Sequence, residues 1–264
     1  MMTRILAVGG DRRQTVLAGL LRRLGQVDTL AVPGWPDTAG EGTYDIVVLP
    51  CPTLDSEGNL RAGPLEAADL VPFCGPQTRV FGAALPRTAQ LPDPLWRAAD
   101  LLIDPRVKAA NGRLTAEAAF FLPRKGRSLQ GSRCLVLGWG CIGRPLSLLL
   151  RSFGADVTVA VRRETVLAKA EGLGLRAAPF SELTGSWDFV WNTVPAQALT
   201  DAQLAGLGPD CLWIELASAP GGLPARIPDG VERQPAGGLP GKYLPDAAAE
   251  ILFGGIVRAM EGKR

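Results

Sequence analysis

No stretch of the chain constrains its fold more than Gly138-Trp139-Gly140-Cys141-Ile142-Gly143, which lies directly behind the apolar run Arg133–Leu137 and opens the helix-patterned segment Cys141–Phe153. A strand that ends in GxGxxG asks a different thing of each glycine: the first makes a tight turn, the second lets a pyrophosphate approach the backbone, and the third lets helix and strand pack closely. The helix N-terminus then offers free N–H groups and a favourable dipole to the phosphates. The hexapeptide alone is a weak signal. Its context strengthens it, because the strand-like run Asp156–Val161 ends roughly the ~20 residues further on where such domains present their ribose-contacting residue. Arg162 and Arg163 stand there in place of Asp or Glu. Guanidiniums bind phosphate bidentately and suit a ribose 2′-phosphate, so NADP is the expected cofactor and NAD the less favoured one.

Apolar runs alternate with helix-patterned segments twice over, which predicts an α/β protein of two Rossmann-like domains with parallel sheets. The break is read at the polar stretch Pro123–Gly131. Residues 1–124 then form a substrate or partner domain and residues 125–245 the dinucleotide-binding domain. In the first domain strands are expected at Arg4–Val8, Val27–Val32, Ile46–Leu49, Arg79–Phe81 and Leu101–Ile103. Helices are expected at Arg13–Leu24 and Leu114–Leu122, with a loop or small hairpin over Pro50–Gly63. In the second, strands are expected at Arg133–Leu137, Asp156–Val161, Phe189–Asn192 and Leu212–Leu216, with a helix over Glu164–Glu171. The amphipathic segment Asp246–Met260 has no strand to cross back to, so residues 246–264 are expected to return to the first domain.

In a doubly wound sheet the ligand crevice lies at the carboxyl ends of the strands. The turns Asn192-Thr193-Val194-Pro195 and Leu216-Ala217-Ser218-Ala219-Pro220-Gly221-Gly222 fall there. The expected cofactor contacts are therefore Gly138, Gly140, Cys141, Ile142, Gly143, Arg162, Arg163, Thr193, Val194, Pro195 and Ala217.

Composition narrows the chemistry. With 264 residues, 47% hydrophobic and 20% charged, the chain reads as globular. A net charge of +2 with scattered basic residues excludes a nucleic-acid footprint and a polybasic membrane surface. No apolar run approaches the ~18 residues of a membrane span, and the N-terminal residues lack the pattern of a signal peptide. Cysteines at 51, 74, 134, 141 and 211 make no CxxC pair and are expected as reduced thiols in a cytoplasmic protein. There is no histidine, which removes imidazole acid/base catalysis and His-ligated metals, and no metal site is expected. Proton transfer falls to Glu, Asp, Lys, Tyr or Cys.

Nearly the whole chain resembles the A subunits of dipicolinate synthase from endospore-forming bacteria. The residues that carry the likeness are Val8-Gly9-Gly10-Asp11 with Arg13-Gln14, Asn111 with Thr115 and Glu117, the GxGxxG turn, Asn192-Thr193-Val194-Pro195, Leu216-Ala217-Ser218 with Pro220-Gly221-Gly222, and Gly238-Leu239-Pro240-Gly241. The resemblance implies oxidation of dihydrodipicolinate to dipicolinate with NADP⁺ as hydride acceptor, together with a flavoprotein-like B subunit, in the cytoplasm of the sporulating mother cell. It also implies a C-terminal helix that returns to the first domain. Trp139, Cys141, Arg12, Ala219 and Lys242-Tyr243 depart from the pattern; Ala219 touches the crevice and bears on the exact substrate.

That chemistry needs two rings held face to face, a dicarboxylate gripped and one proton accepted. Arg13 is the expected ligand of the dianion, supported by Asn111 and by the N–H groups of Gly9 and Gly10. Glu117 is the first candidate for proton acceptor and Asp11 the second. Ser218 and Lys242 are further candidates to hydrogen-bond substrate or cofactor. A D-2-hydroxyacid dehydrogenase is the competing enzyme, although that chemistry leans on a histidine. A non-catalytic sensor of nicotinamide dinucleotides is the competing reading of another class. A homo-oligomer is compatible with the sequence.

Overall fold

The computed structural model describes residues 2–55, 57–85, 91–122, 124, 126–218, 221–223 and 228–262. Met1, Pro123, Lys125, Ala219, Pro220, Lys263 and Arg264, which enter the expectations above, lie outside the described residues. The chain forms two compact units, Met1–Asn111 with Pro240–Arg264, and Gly112–Leu239.

Strands β1 (Arg4–Val8), β2 (Gln26–Leu30), β3 (Tyr44–Val48), β4 (Cys74–Gly82) and β5 (Ala99–Asp100) make one sheet, ordered β2-β1-β3-β4-β5. Strands β6 (Arg133–Leu137), β7 (Asp156–Val161), β8 (Arg176–Pro179), β9 (Phe189–Asn192), β10 (Cys211–Glu215) and β11 (Val231–Pro235) make the other, ordered β11-β10-β9-β6-β7-β8. Every pairing between these strands is parallel. Both orders are doubly wound, so each sheet has a switch point: between β1 and β3 in the first, and between β6 and β9 in the second. The helices are α1 (Arg12–Leu21), α2 (Pro105–Phe120), α3 (Gly143–Ser152), α4 (Glu164–Glu171), α5 (Asp201–Ala205), α6 (Leu239–Tyr243) and α7 (Pro245–Glu261).

Central strands are apolar on both faces because both faces are covered. Residues 134–137 of β6 are fully buried, as are Trp191 of β9 and Trp213 of β10. The C-terminal helix belongs to the first unit. Proline at its first position starts α7. Its stripe of Ala249, Leu252 and Ile256 packs with Leu17 and Leu21 of α1 in one core. Each fully buried Leu or Ile there contributes about 1.5–3 kcal/mol. Gly255 faces Val107 at the start of α2, where a Cβ would lie 2.9 Å from a Val107 methyl.

The structure differs from the sequence reading at several elements. Leu101–Ile103 is a 3₁₀ turn and not a strand; the Asp100 side chain accepts from Leu102 N–H at 2.9 Å and closes that turn. Helix α2 begins at Pro105 rather than Leu114, with Asp104 accepting from Arg106 N–H at 2.7 Å. Strands β8 and β11 were not foreseen because they are the two edges of their sheet, where Arg-Ala-Ala-Pro and Val-Glu-Arg-Gln-Pro need no apolar run. The division between the units falls inside α2, between Asn111 and Gly112, whereas the polar stretch Pro123–Gly131 had suggested a later one.

Candidate functional site

At the β6/β9 switch point the three fingerprint glycines do three different things. Gly138 takes φ +97°, and a Cβ there would meet the Thr193 hydroxyl at 2.7 Å. A Cβ on Gly143 would lie 2.2 Å from the Gly138 carbonyl, so α3 packs this closely on β6 only without a side chain. Gly140, by contrast, faces open space, with nothing within 4 Å of a Cβ. Ile142 at the N-cap of α3 supplies no side-chain hydrogen bond to the first turn; the Arg144 N–H donates to the Gly140 carbonyl at 3.2 Å and Pro145 has no N–H, which leaves the Gly143 N–H to an anion or water.

The opening is a cavity of about 530 Å³. Gly138, Trp139 and Gly140 form one wall, and Thr193, Val194, Pro195 and Ala196 another. Arg162, Arg163 and Val166 come from the end of β7 and the first turn of α4, and Phe180 from the turn after β8. Both arginines are exposed, and neither guanidinium has an ion-pair or hydrogen-bond partner among the described residues. The cavity thus joins an open backbone approach, apolar walls and two uncommitted guanidiniums. In chemistry these residues fit a nicotinamide dinucleotide, with an uncrowded backbone at Gly140 and two cationic side chains at Arg162 and Arg163. Trp139, Val166, Phe180 and Ala196 were not among the expected contacts. Trp139 was visible inside the fingerprint, but Phe180 follows an unforeseen edge strand and carried no signal.

A second feature of this unit was also missed. Glu215, at the end of β10, is 4% exposed. Its Oε1 accepts from Asn192 Nδ2 at 2.6 Å and from Ala217 N–H at 3.3 Å; its Oε2 accepts from Trp213 Nε1 and Gly222 N–H, both at 3.0 Å. Asn192 in turn accepts from Val194 N–H at 3.0 Å and donates to the Val194 carbonyl at 2.9 Å. A lone acidic residue in the apolar run Cys-Leu-Trp-Ile-Glu-Leu was the available signal.

The β1/β3 switch point of the first unit is closed. The Gly9 and Gly10 N–H groups, expected to hold an anion, donate instead to the carbonyls of Leu30 (2.9 Å) and Arg61 (2.8 Å). A Cβ on Gly9 would lie 2.4 Å from Ala62, so this glycine exists for close passage of the chain at 61–62. Asp11 caps α1 by accepting from Arg13 N–H at 3.0 Å. Arg13 is 5% exposed, and its guanidinium donates to both Asp11 oxygens, to the Cys51 carbonyl and to Cys51 Sγ at 3.3 Å. Burial opposes ionisation of the Asp11 carboxyl, but the hydrogen bonds and charge of Arg13, with the charge of Arg61, outweigh it and hold its pKa below the ordinary value. Burial pushes the Cys51 thiol up. Gly241 in α6 lies against this pair, its Cβ position 2.4 Å from Asp11 Oδ2 and 2.5 Å from Arg13 Nε. For Arg13 to hold a substrate carboxylate it must exchange Asp11 for it.

Asn111 is half-buried and Glu117 exposed on α2. Glu117 has no hydrogen-bond or ion-pair partner among the described residues. Ser218 and Lys242 are exposed, and the Ser218 carbonyl accepts from Gly221 N–H at 3.0 Å. The five cysteines are free thiols; burial pushes Cys134 up to about 11 and Cys211 up to about 12, so neither offers a thiolate at neutral pH. Among the described residues no group of three or more Cys, Asp or Glu could hold a metal, and no helix is long and apolar enough to cross a membrane.

Residues 106–207 match the family model for the D-isomer specific 2-hydroxyacid dehydrogenase, NAD binding domain. The match contains the fingerprint, both arginines and the Asn192–Pro195 turn, and supports an NAD(P)-dependent oxidoreductase that takes a nicotinamide dinucleotide. The chain is 32% identical over 149 residues to the dipicolinate synthase A subunit of Bacillus subtilis, an alignment spanning 52% of this chain and 50% of that one. The matched region thus spans about half the length of the curated relative. In fold it resembles the dipicolinate synthase A chain from Bacillus subtilis (TM-score 0.81, 22% identity, 99% of this chain and 97% of that one). It also resembles the corresponding dipicolinate synthase chain from Bacillus halodurans (TM-score 0.85, 22% identity, 97% of each). A transhydrogenase from Sinorhizobium meliloti shares the fold at TM-score 0.65 and 12% identity, over 98% of this chain and 92% of that one. The resemblance to the dipicolinate synthase A subunits therefore holds in sequence over half the chain and in fold over nearly all of it.

Proposed function

We propose that the chain is the dinucleotide-binding component of a dipicolinate-forming enzyme, which oxidises dihydrodipicolinate with NADP⁺ and acts with a flavoprotein-like second subunit. The observation that carries the cofactor half of this reading is the pair of guanidiniums, Arg162 and Arg163, without partners among the described residues, lining the same cavity as the uncrowded backbone at Gly140. A ribose 2′-phosphate supplies the acceptor oxygens these two groups lack, and each charge-assisted hydrogen bond contributes about 1.5–3 kcal/mol. The substrate half rests on the likeness to the dipicolinate synthase A subunits.

When bound, the nicotinamide supplies a hydride acceptor. The substrate ring gives up a hydride and a proton and becomes aromatic, so the chain needs to position the rings and take one proton rather than supply covalent catalysis. Of the two carboxylates singled out, Asp11 is committed to Arg13 and to the cap of α1, and its lowered pKa makes it a weak base. Glu117, exposed and unpartnered among the described residues, is chemically free to accept the proton and is our choice. A D-2-hydroxyacid dehydrogenase activity is favoured by the family match, but its imidazole chemistry has no residue here to perform it.

The test is a titration with NADP⁺ and NAD⁺, followed by freshly made dihydrodipicolinate with and without the candidate second subunit. NADP⁺ should bind more than tenfold tighter, about 1.4 kcal/mol or more. The double variant Arg162→Ala/Arg163→Ala should erase that preference and leave NAD⁺ binding unchanged. Absence of binding by either dinucleotide sinks the reading; binding without turnover under any condition supports a sensor.

A further inference from the structure

Thr193, Val194 and Pro195 line the cavity, yet their turn is held through Asn192 by a residue outside the lining: Glu215. Four neutral donors converge on this buried carboxylate, two from side chains (Asn192 of the neighbouring strand β9 and Trp213 of β10 itself) and two from backbone N–H groups after β10 (Ala217, Gly222). Among the described residues no cation pairs with it. A group that only accepts hydrogen bonds is what four donors require. An amide in its place would set an NH₂ group against two of them. Asn192, pinned by Glu215 through Nδ2, spends its own oxygen on Val194 N–H and the same Nδ2 on the Val194 carbonyl, so the clamp passes directly to the cavity wall. The space is closed to anything larger: a Cβ on Gly222 would lie 2.4 Å from Asn192 Nδ2, and one on Gly221 3.1 Å from the Glu215 carboxyl.

We propose that Glu215 is a positioning residue for the dinucleotide site, tying the 193–195 wall, through Asn192, to the backbone at Ala217 and Gly222 without touching the ligand. The proposal rests on the dinucleotide reading of the cavity and adds a determinant of its affinity outside its lining.

The experiment measures the Kd of NADP⁺ by calorimetry for the full chain, for Glu215→Gln, and for Leu150→Ala. Leu150 is a buried residue of α3 outside the cavity lining, and its truncation lowers thermal stability without reaching the clamp. Glu215→Gln should weaken binding about tenfold at a temperature where all three chains are folded, whereas Leu150→Ala should stay within twofold of the parent. Should Glu215→Gln fail to fold, Gly222→Ala drives a methyl into the Asn192 amide from the other side, at a backbone conformation open to alanine, and should give the same loss. Unchanged affinity in the folded Glu215→Gln or Gly222→Ala chain, or an equal loss in Leu150→Ala, overturns the proposal while leaving the dinucleotide reading intact. A parent chain that binds no dinucleotide overturns both.

Discussion

The molecule carries two doubly wound sheets, each with glycines in the turn after its first strand, and among the described residues the two turns spend their donors differently. At β6/β9 the second glycine faces empty space and the nearby guanidiniums have no partner among the described residues. At β1/β3 the chain at 61–62 fills the space over Gly9, and Asp11 and Cys51 occupy Arg13. The same topology therefore offers a ligand site or a self-satisfied turn, depending on whether the protein's own groups take the hydrogen bonds first. A switch point marks where a ligand is able to bind; donor accounting decides whether it does.

The largest effect expected from this contrast is that of Gly143→Ala. Its methyl would sit 2.2 Å from a backbone carbonyl that has no rotamer to yield. A loss of about 3 kcal/mol in urea unfolding is expected; a loss under about 1 kcal/mol would mean that α3 slides freely on β6, and the close packing would not define the open crevice.

Next comes Arg13→Leu, which orphans a half-buried carboxylate and the Cys51 carbonyl. Because Asp11 keeps 31% of its side chain exposed, the cost is discounted from that of a fully buried pair to about 2 kcal/mol. Unchanged stability with a raised KM for substrate would make Arg13 a ligand, and the two crevices alike after all.

Gly140→Val should do the reverse. Stability should hold within about 0.5 kcal/mol, since nothing lies within 4 Å of the new Cβ. NADP⁺ affinity should fall about 30-fold, or about 2 kcal/mol, by calorimetry. Undiminished binding would place the pyrophosphate elsewhere.

The smallest effect is in pH. Asp11 has a folded pKa below its unfolded value of about 3.9, so its stabilisation is present in full above that value and is lost as pH falls through the folded pKa. The stability gap between the parent chain and Arg13→Leu, read by denaturant titration from pH 7 downward, should hold to about pH 4 and narrow below it. A gap that persists unchanged into stronger acid would separate Arg13 from Asp11.

The legibility of these features in the sequence follows burial. Strands β6, β7 and β9 and helix α4 appear where the apolar and helical patterns put them, because covered central strands must be apolar throughout and a solvated helix must alternate. The edge strands β8 and β11 were illegible because solvent on one side relaxes that demand. Phe180 vanished from the expected cavity with β8. Leu101–Ile103 shows the opposite error: an apolar triplet read as a strand is a 3₁₀ turn, because the Asp100 carboxylate takes the N–H groups of Ala84, Leu85 and Leu102.

By itself the sequence determined the α/β alternation, the placement of the GxGxxG turn between a strand and a helix, and the pair Arg162-Arg163 at the end of the following strand. These rest on period, on glycine's missing Cβ and on spacing along one chain, all of which are local. Which glycine turn stays open, whether Arg13 has a donor to spare, and why a glutamate sits among Trp213, Asn192 and Gly222 were decided only in three dimensions. A hydrogen-bond partner 38 residues away, as Cys51 is for Arg13, leaves no mark on the sequence around either one.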